Sequence, residues 1–274
     1  MWAHIPEHIN PVALTIGPMD VHWYGIMYAV AFSIVYSLVL YRIKTEKINY
    51  SQEMIGDFMI WAIIAILLGG RLGYVLFYNL GYFLRHPINI ILPLDYSKGF
   101  HYVGFGGMSY HGALLGFVFA LVVFCKGRSI DFWGFIDLFI PAIPLGYTFG
   151  RLGNFINGEL YGRVTNVAWG MYFPLDPTHH LRHPSQLYEA FFEGIFLFLI
   201  LWSIRKAAPY HGFLCGLYLM GYGGLRFVIE FFREPDPQLG FVLGPFTLGQ
   251  IFCALMVISG MLILENRRRK LKSS

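Results

Sequence analysis

The stretch GYGGLRFVIEFFREPDP sets Tyr222, Arg226, Glu230 and Arg233 at steps of four, four and three, the spacing of one helical stripe. Arg226 carries five N–H donors in a planar fork, which suits an anionic phosphate and a carboxylate equally well. The same spacing allows an internal pair between Arg226 and Glu230 that holds helices together and binds nothing. A second stretch, GRLGNFINGELYG (Gly150–Gly162), combines glycines with Arg151, Asn154, Asn157 and Glu159. Glycine permits tight turns and close approach to a ligand, and the polar residues supply donors and acceptors for a polyol phosphate. The plainer reading of this stretch is a loop capped by Asn and Gly. Cys125, Cys215 and Cys253 lie in apolar runs, with no CxxC and no histidine spacing suited to zinc. They read as buried thiols, and no metal site is expected.

Composition says what must hold these groups. Of 274 residues, 56% are hydrophobic, 18% aromatic and only 13% charged, against about 25% charged in a soluble domain. Half the usual charge cannot coat a soluble globule of this size. That excludes a cytosolic enzyme, a disordered chain and a secreted disulfide scaffold, and leaves a multi-spanning membrane protein. The first 41 residues hold no Lys or Arg, so a cleavable signal peptide with a basic start is not expected. Uncharged runs predict seven spans, at approximately 22–42, 55–78, 110–126, 132–149, 187–204, 212–232 and 247–264. Arg71 interrupts the second, and Pro141 and Pro144 kink the fourth. The expected fold class is an all-α membrane protein of seven transmembrane helices. It forms one integral membrane domain over 1–274, with long outer loops at 79–109 and 150–186 making a small head.

Orientation follows from Lys/Arg bias. With the N-terminus outside and the C-terminus cytoplasmic, the inner turns and tail collect Arg42, Lys44, Lys47, Lys126, Arg128, Arg205, Lys206, Arg267, Arg268, Arg269, Lys270 and Lys272, most of the 20 basic residues. The net charge of +4 is then a matter of orientation, and no nucleic acid partner is expected. In this topology His22 and Tyr24 open span one and His111 opens span three on the outer side, and Arg151 follows the outer end of span four. Arg226 lies about 9 Å below Phe232 at about 1.5 Å per residue. Charge in hydrocarbon is costly and marks a polar cavity or substrate path. A transporter of anionic lipid would also bury Arg and Glu, usually near the midplane and with internal repeats, and no repeat is visible here. A non-catalytic lipid-binding membrane protein would share the arginines without needing His111.

GRLGNFINGELYG fits, position by position, the signature G-R-x-[GA]-N-F-x-N-x-E-x-x-G of the prolipoprotein diacylglyceryl transferases. HWYG (His22–Gly25), GGMSYHG (Gly106–Gly112), HPSQLYE (His183–Glu189) and LRFVIEFFREPD (Leu225–Asp236) also resemble that family's segments, in the family's order. The resemblance runs from about residue 20 to residue 265. It implies a seven-span enzyme of the bacterial cytoplasmic (inner) membrane, with its active site facing the outer leaflet of the lipid bilayer. Such an enzyme transfers the diacylglyceryl group of phosphatidylglycerol to the lipobox cysteine in a prolipoprotein signal peptide. The products are a thioether and sn-glycerol 1-phosphate, no cofactor or metal is implied, and the step opens bacterial lipoprotein maturation.

That chemistry has two needs. A thiol with a free pKa of about 8.5 must become a thiolate, and the departing phosphate must be stabilised as its charge grows. The resemblance implies His111 as general base, since imidazole titrates nearest neutral pH, and Arg151 and Arg226 as the clamp on the phosphate. Glu159 and Glu230 then orient those arginines or bind glycerol hydroxyls, while Asn154 and Tyr24 shape the headgroup site by hydrogen bonding. Tyr222 stands between proton transfer and helix packing, and Arg71 between a second lipid contact and a structural pair.

Overall fold

The computed structural model describes residues 2–17, 19–78, 80–90, 94–95, 101–102, 107–235 and 241–273. Gly106 and Asp236, the ends of two motif segments, and much of the expected loop 79–109 lie outside the described residues. The principal helices are α1 (Trp23–Glu46), α2 (Gln52–Tyr78), α3 (Tyr110–Gly127), α4 (Phe132–Phe139), α5 (Ile143–Ile156), α6 (Ser185–Ala207), α7 (Phe213–Ile229) and α8 (Leu248–Ser273). Among the described residues, α1, α2, α3, α6 and α8 are long and apolar enough to cross a membrane, and α4 with α5 makes a sixth span if the bent pair is one. The apolar helix α7 is shorter, at 17 residues. Leu68 on α2 and Leu115 and Phe119 on α3 are among many large apolar side chains left exposed, as helices surrounded by lipid tails require. The chain is a multi-pass, predominantly helical membrane protein.

Two boundaries differ from the sequence expectation. The fourth span is divided rather than kinked: α4 and α5 meet at 50°. Pro141 lies in the break, and Pro144 enters the first turn of α5, where a missing N–H leaves no helix bond unmade. The other difference is that α5 continues to Ile156. The segment expected to begin the loop at residue 150 is therefore helical, and Arg151 and Asn154 are helix residues. Their spacing of three puts them on one face.

The chain forms two compact units, residues 49–135 and residues 1–48 with 136–274. In the first, α2 and α3 touch backbone to backbone. A Cβ on Gly116 would stand 2.1 Å from the Ala65 carbonyl oxygen, and one on Gly112 2.3 Å from that of Gly69, so the contact is open to glycine alone. Phe58 meets Phe124 and Phe135 edge-on, with ring centroids 5.2 and 5.0 Å apart, and closes the far end of this unit.

In the second unit α1 packs on α5, α5 on α6, and α7 on α8. Asp137 accepts the backbone N–H groups of Gly212 (2.7 Å) and Cys215 (2.8 Å) and so caps the start of α7. Arg42 donates to the carbonyls of Asp137 and Leu138 at 2.8 and 2.6 Å and pairs with Glu46 at 3.0 Å. Arg205 reaches the same Glu46 at 2.7 Å. Two of the basic residues that argue for orientation thus also fasten the bundle.

Candidate active site

Tyr24, Arg151, Asn154, Glu159, Arg226 and Glu230 all belong to the second unit, and a chain of polar contacts links five of them. On α7, Arg226 sends Nη2 to Glu230, four residues on, at 2.8 Å. Its Nη1 goes to Glu189 at 2.5 Å and lies 3.7 Å from Glu193. On α5, Arg151 meets the other oxygen of Glu189 at 2.6 Å through Nε and sends Nη1 to Asn154 at 3.2 Å. Asn154 passes the chain to Glu159 at 2.8 Å. Glu159 therefore supports Arg151 through Asn154 and does not touch either arginine. Tyr24 lies against Gly153, where a Cβ would stand 3.1 Å from its ring. Its hydroxyl is 3.1 Å from that of Tyr28.

Three members of the cluster were not singled out from the sequence: Tyr147, Glu189 and Glu193. Glu189 is 1% exposed and Glu193 0%, both within an otherwise apolar span. Tyr147, one turn before Arg151, accepts from Arg151 Nε at 2.7 Å and donates to Glu193 at 2.5 Å. The available signal was LYEAFFEGIF, which sets two carboxylates four residues apart inside hydrocarbon. Such residues face a polar interior or one another. The middle of α6, Ala190–Phe196, is a π-helix, a conformation that frees carbonyls and often marks functional positions. Here Thr148 of α5 donates to the Ala190 carbonyl at 3.2 Å. A Cβ on Gly194 would fall 2.0 Å from the Thr148 hydroxyl, so glycine lets the widened turn sit against α5.

The Arg226–Glu230 pair does exist, as one edge of a larger network. Three buried carboxylates, Glu189, Glu193 and Glu230, stand against the two guanidiniums. Glu230 caps α7 and accepts the Thr247 hydroxyl at 3.0 Å. Arg233, the fourth member of the expected stripe, lies beyond the helix end. Its carbonyl accepts from Arg163 at 2.9 Å, and its backbone bridges to Gly162. Tyr222 is buried, its ring edge-on to Tyr147 and stacked on Tyr218.

The segment after α5 is pinned to the cluster. Leu160 has a φ of +57°, a left-handed conformation that costs about 1–3 kcal/mol for such a residue. Ser185 and Gln186 hold it, donating to the carbonyls of Leu160 (3.0 Å) and Glu159 (2.6 Å). Farther along, Asp176 receives Arg182 at 2.8 and 3.0 Å, and Arg182 reaches Glu234 at 3.0 Å. Burial pushes the Asp176 carboxyl up, but hydrogen bonds from Arg182 and Thr178 outweigh it and hold it well below the usual carboxylate range. Burial lowers the His183 imidazole.

His111 belongs to the unit 49–135. It is exposed in the first turn of α3, where Ser109 caps the helix by accepting the Gly112 N–H at 3.3 Å. Arg71 acts in the same unit as a clamp on main chain: it donates to the carbonyls of Asn89 (2.6 Å), Ile90 (3.0 Å) and Gly107 (3.4 Å) and lies over the Phe83 ring. That geometry favours the structural reading of Arg71.

A multi-pass helical membrane protein with paired arginines in a buried acidic cluster is the class that fold and site define. Residues 11–265 match the family model described as prolipoprotein diacylglyceryl transferase. The phosphatidylglycerol–prolipoprotein diacylglyceryl transferase of Chlorobaculum tepidum is 56% identical over 96% of this chain and 91% of its own length. The protein of that name from Campylobacter jejuni is 44% identical over 96% of this chain and 95% of its own length, and that of Desulfotalea psychrophila 41% over 92% and 91%. The chain belongs to the prolipoprotein diacylglyceryl transferase family and is a transferase. These relationships do not favour the transporter or the non-catalytic reading.

Proposed function

We propose that this chain transfers the diacylglyceryl group of phosphatidylglycerol to the lipobox cysteine of a prolipoprotein signal peptide, at the outer leaflet of the bacterial inner membrane. The observation that carries this reading is the convergence of Arg151 and Arg226, from different helices, on the single carboxylate of Glu189. Two guanidiniums held together within apolar helices are suited to one phosphodiester. The topology proposed is seven spans in one membrane domain, counting α4 with α5 as one and α7 as another, with the N-terminus outside and the C-terminus cytoplasmic.

In the reaction the cysteine thiolate attacks the diacylglyceryl carbon that bears the phosphate. The C–S bond forms, the C–O bond breaks with its electron pair leaving on oxygen, and sn-glycerol 1-phosphate departs. His111 takes the thiol proton as general base. Arg151 and Arg226 bind the phosphate and stabilise the charge that grows on it. Glu230 orients Arg226, the Asn154–Glu159 pair orients Arg151, and Tyr24 completes the headgroup site. The test is the purified full-length chain in phosphatidylglycerol vesicles with a lipobox peptide. Glycerol phosphate release matched by a peptide mass gain of one diacylglyceryl group is expected. Release without peptide, or none with it, overturns the reading.

A further inference from the structure

We infer that Glu189 is a positioning residue of the reaction, a carboxylate that fixes the separation of the two phosphate-binding guanidiniums before any lipid enters. The inference rests on the transferase reading above. Glu189 contacts one nitrogen of each arginine. It accepts a hydrogen bond from Nη1 of Arg226 at 2.5 Å and forms an ion pair with Nε of Arg151 at 2.6 Å, whose one N–H donates to the Tyr147 hydroxyl at 2.7 Å. Separate partners take a second nitrogen from each: Glu230 holds Nη2 of Arg226, and Asn154 holds Nη1 of Arg151. Among the described residues, Nε of Arg226 and Nη2 of Arg151 make no hydrogen bond, so each guanidinium keeps a donor for an anion.

The tie is itself well held. Glu189 is 1% exposed and sits at the N-terminal edge of the π-helical segment. Just before it, Ser185 and Gln186, both 0% exposed, bind the carbonyls that flank the strained Leu160 turn. One short helix segment therefore fixes both the bridging carboxylate and the turn carrying Glu159. A carboxylate bridging two arginines performs the spacing task that the transition state needs performed, so the guanidiniums need not reorganise during the reaction. It also places a negative charge beside an incoming phosphate, which opposes binding of the lipid in its ground state.

Those two effects give Glu189 a kinetic signature that a purely structural residue lacks. Glu189→Gln keeps the shape, but it offers one acceptor oxygen where the carboxylate offers two, so one guanidinium is released and the opposing charge is lost. In phosphatidylglycerol vesicles with a lipobox peptide, kcat of the full chain should fall about 10²-fold, the usual effect of a misplacement near 1 Å. The KM for phosphatidylglycerol should stay level or fall. Binding of sn-glycerol 1-phosphate, measured by calorimetry in detergent, should be no weaker than in the wild type. Glu189→Asp, which restores the charge on a shorter arm, should recover part of kcat. Binding weakened tenfold by Glu189→Gln would make Glu189 a ligand contact and overturn the inference. So would turnover near wild type, or thermal unfolding of both variants, which would leave Glu189 a tie between helices only. The wild-type control separates the two levels of failure. No thioether from wild type overturns the transferase reading and this inference with it, whereas normal wild-type turnover alongside an unimpaired Glu189→Gln overturns the role of Glu189 alone.

Discussion

Replacing Arg226 by lysine keeps the charge and removes the fork, and the geometry of the cluster sets the size of the effect. The guanidinium has five N–H donors. Glu189 takes one in a hydrogen bond at 2.5 Å, and the ion pair with Glu230 at 2.8 Å occupies the side of a second, which leaves three for a phosphate. An ammonium has three donors, and the same two carboxylates would leave it one. The variant therefore loses two charge-assisted hydrogen bonds to the phosphate, at about 1.5–3 kcal/mol each. Together they amount to about 3–6 kcal/mol, or about 10²- to 10⁴-fold in rate. The fold should persist, because a lysine at this position can still pair with Glu230. The assay is thioether formation on a lipobox peptide in phosphatidylglycerol vesicles, run beside thermal unfolding in detergent. Turnover near wild type would refute the clamp. Loss of the folded state would show that Arg226 serves the bundle and not the phosphate.

Three other outcomes are expected. His111→Gln should lower turnover by about 10²–10⁴-fold without weakening phosphatidylglycerol binding. Its rate should recover partly between about pH 6.5 and 9, as solvent supplies the thiolate of a group with a pKa of about 8.5; a flat profile with a raised lipid KM would remove His111 as the base. Asp176→Asn should destabilise the segment between α5 and α6 by about 3–5 kcal/mol, the usual cost of breaking a buried pair, and limited proteolysis after Ile156 would report it. Because the Asp176 carboxyl is held low, its contribution is complete above the unfolded pKa of about 3.9 and disappears only as pH falls through the lower folded value. Proteolysis rates that change between about pH 5 and 8 through this pair would contradict that assignment. A reporter after Lys272 should read cytoplasmic and one between Val164 and Thr178 outer-face, and a C-terminus on the outer face would overturn the seven-span topology.

The apolar helices were legible because lipid demands length and hydrophobicity, both of which are local properties of sequence. Pro141 announced a disturbance in the fourth span, but whether a proline bends a helix or ends it depends on what packs around the break. The end of α5 departs from the expected loop because Gly150, Gly153 and the asparagines favour turns locally, whereas the helix runs to Ile156 with Gly153 close against Tyr24. Arg226 and Glu230 could be paired from spacing alone, since both lie on one helix. Glu189 could not, because its partners come from α5 and α7, and no periodicity within α6 records a partner on another helix. Arg71 was ambiguous for the same reason: among the described residues it donates to main-chain carbonyls, which carry no residue signature.

Chain order gives the Glu189 bridge a consequence for biosynthesis. Synthesis runs from the N-terminus, so Arg151 and then the two carboxylates of α6 are made before Arg226. A carboxylate entering hydrocarbon unpaired is costly. Arg151 and Tyr147 on α5, which meet Glu189 and Glu193 at 2.6 and 2.5 Å, are the cluster partners already present when α6 inserts. The α5–α6 pair is thus the earliest assembly in which these acids are accommodated, and α7 completes it by bringing the second guanidinium. A nascent chain halted before α7 would carry two acids against one cation within the membrane, and quality-control machinery that recognises unpaired charge in a bilayer would have something to recognise.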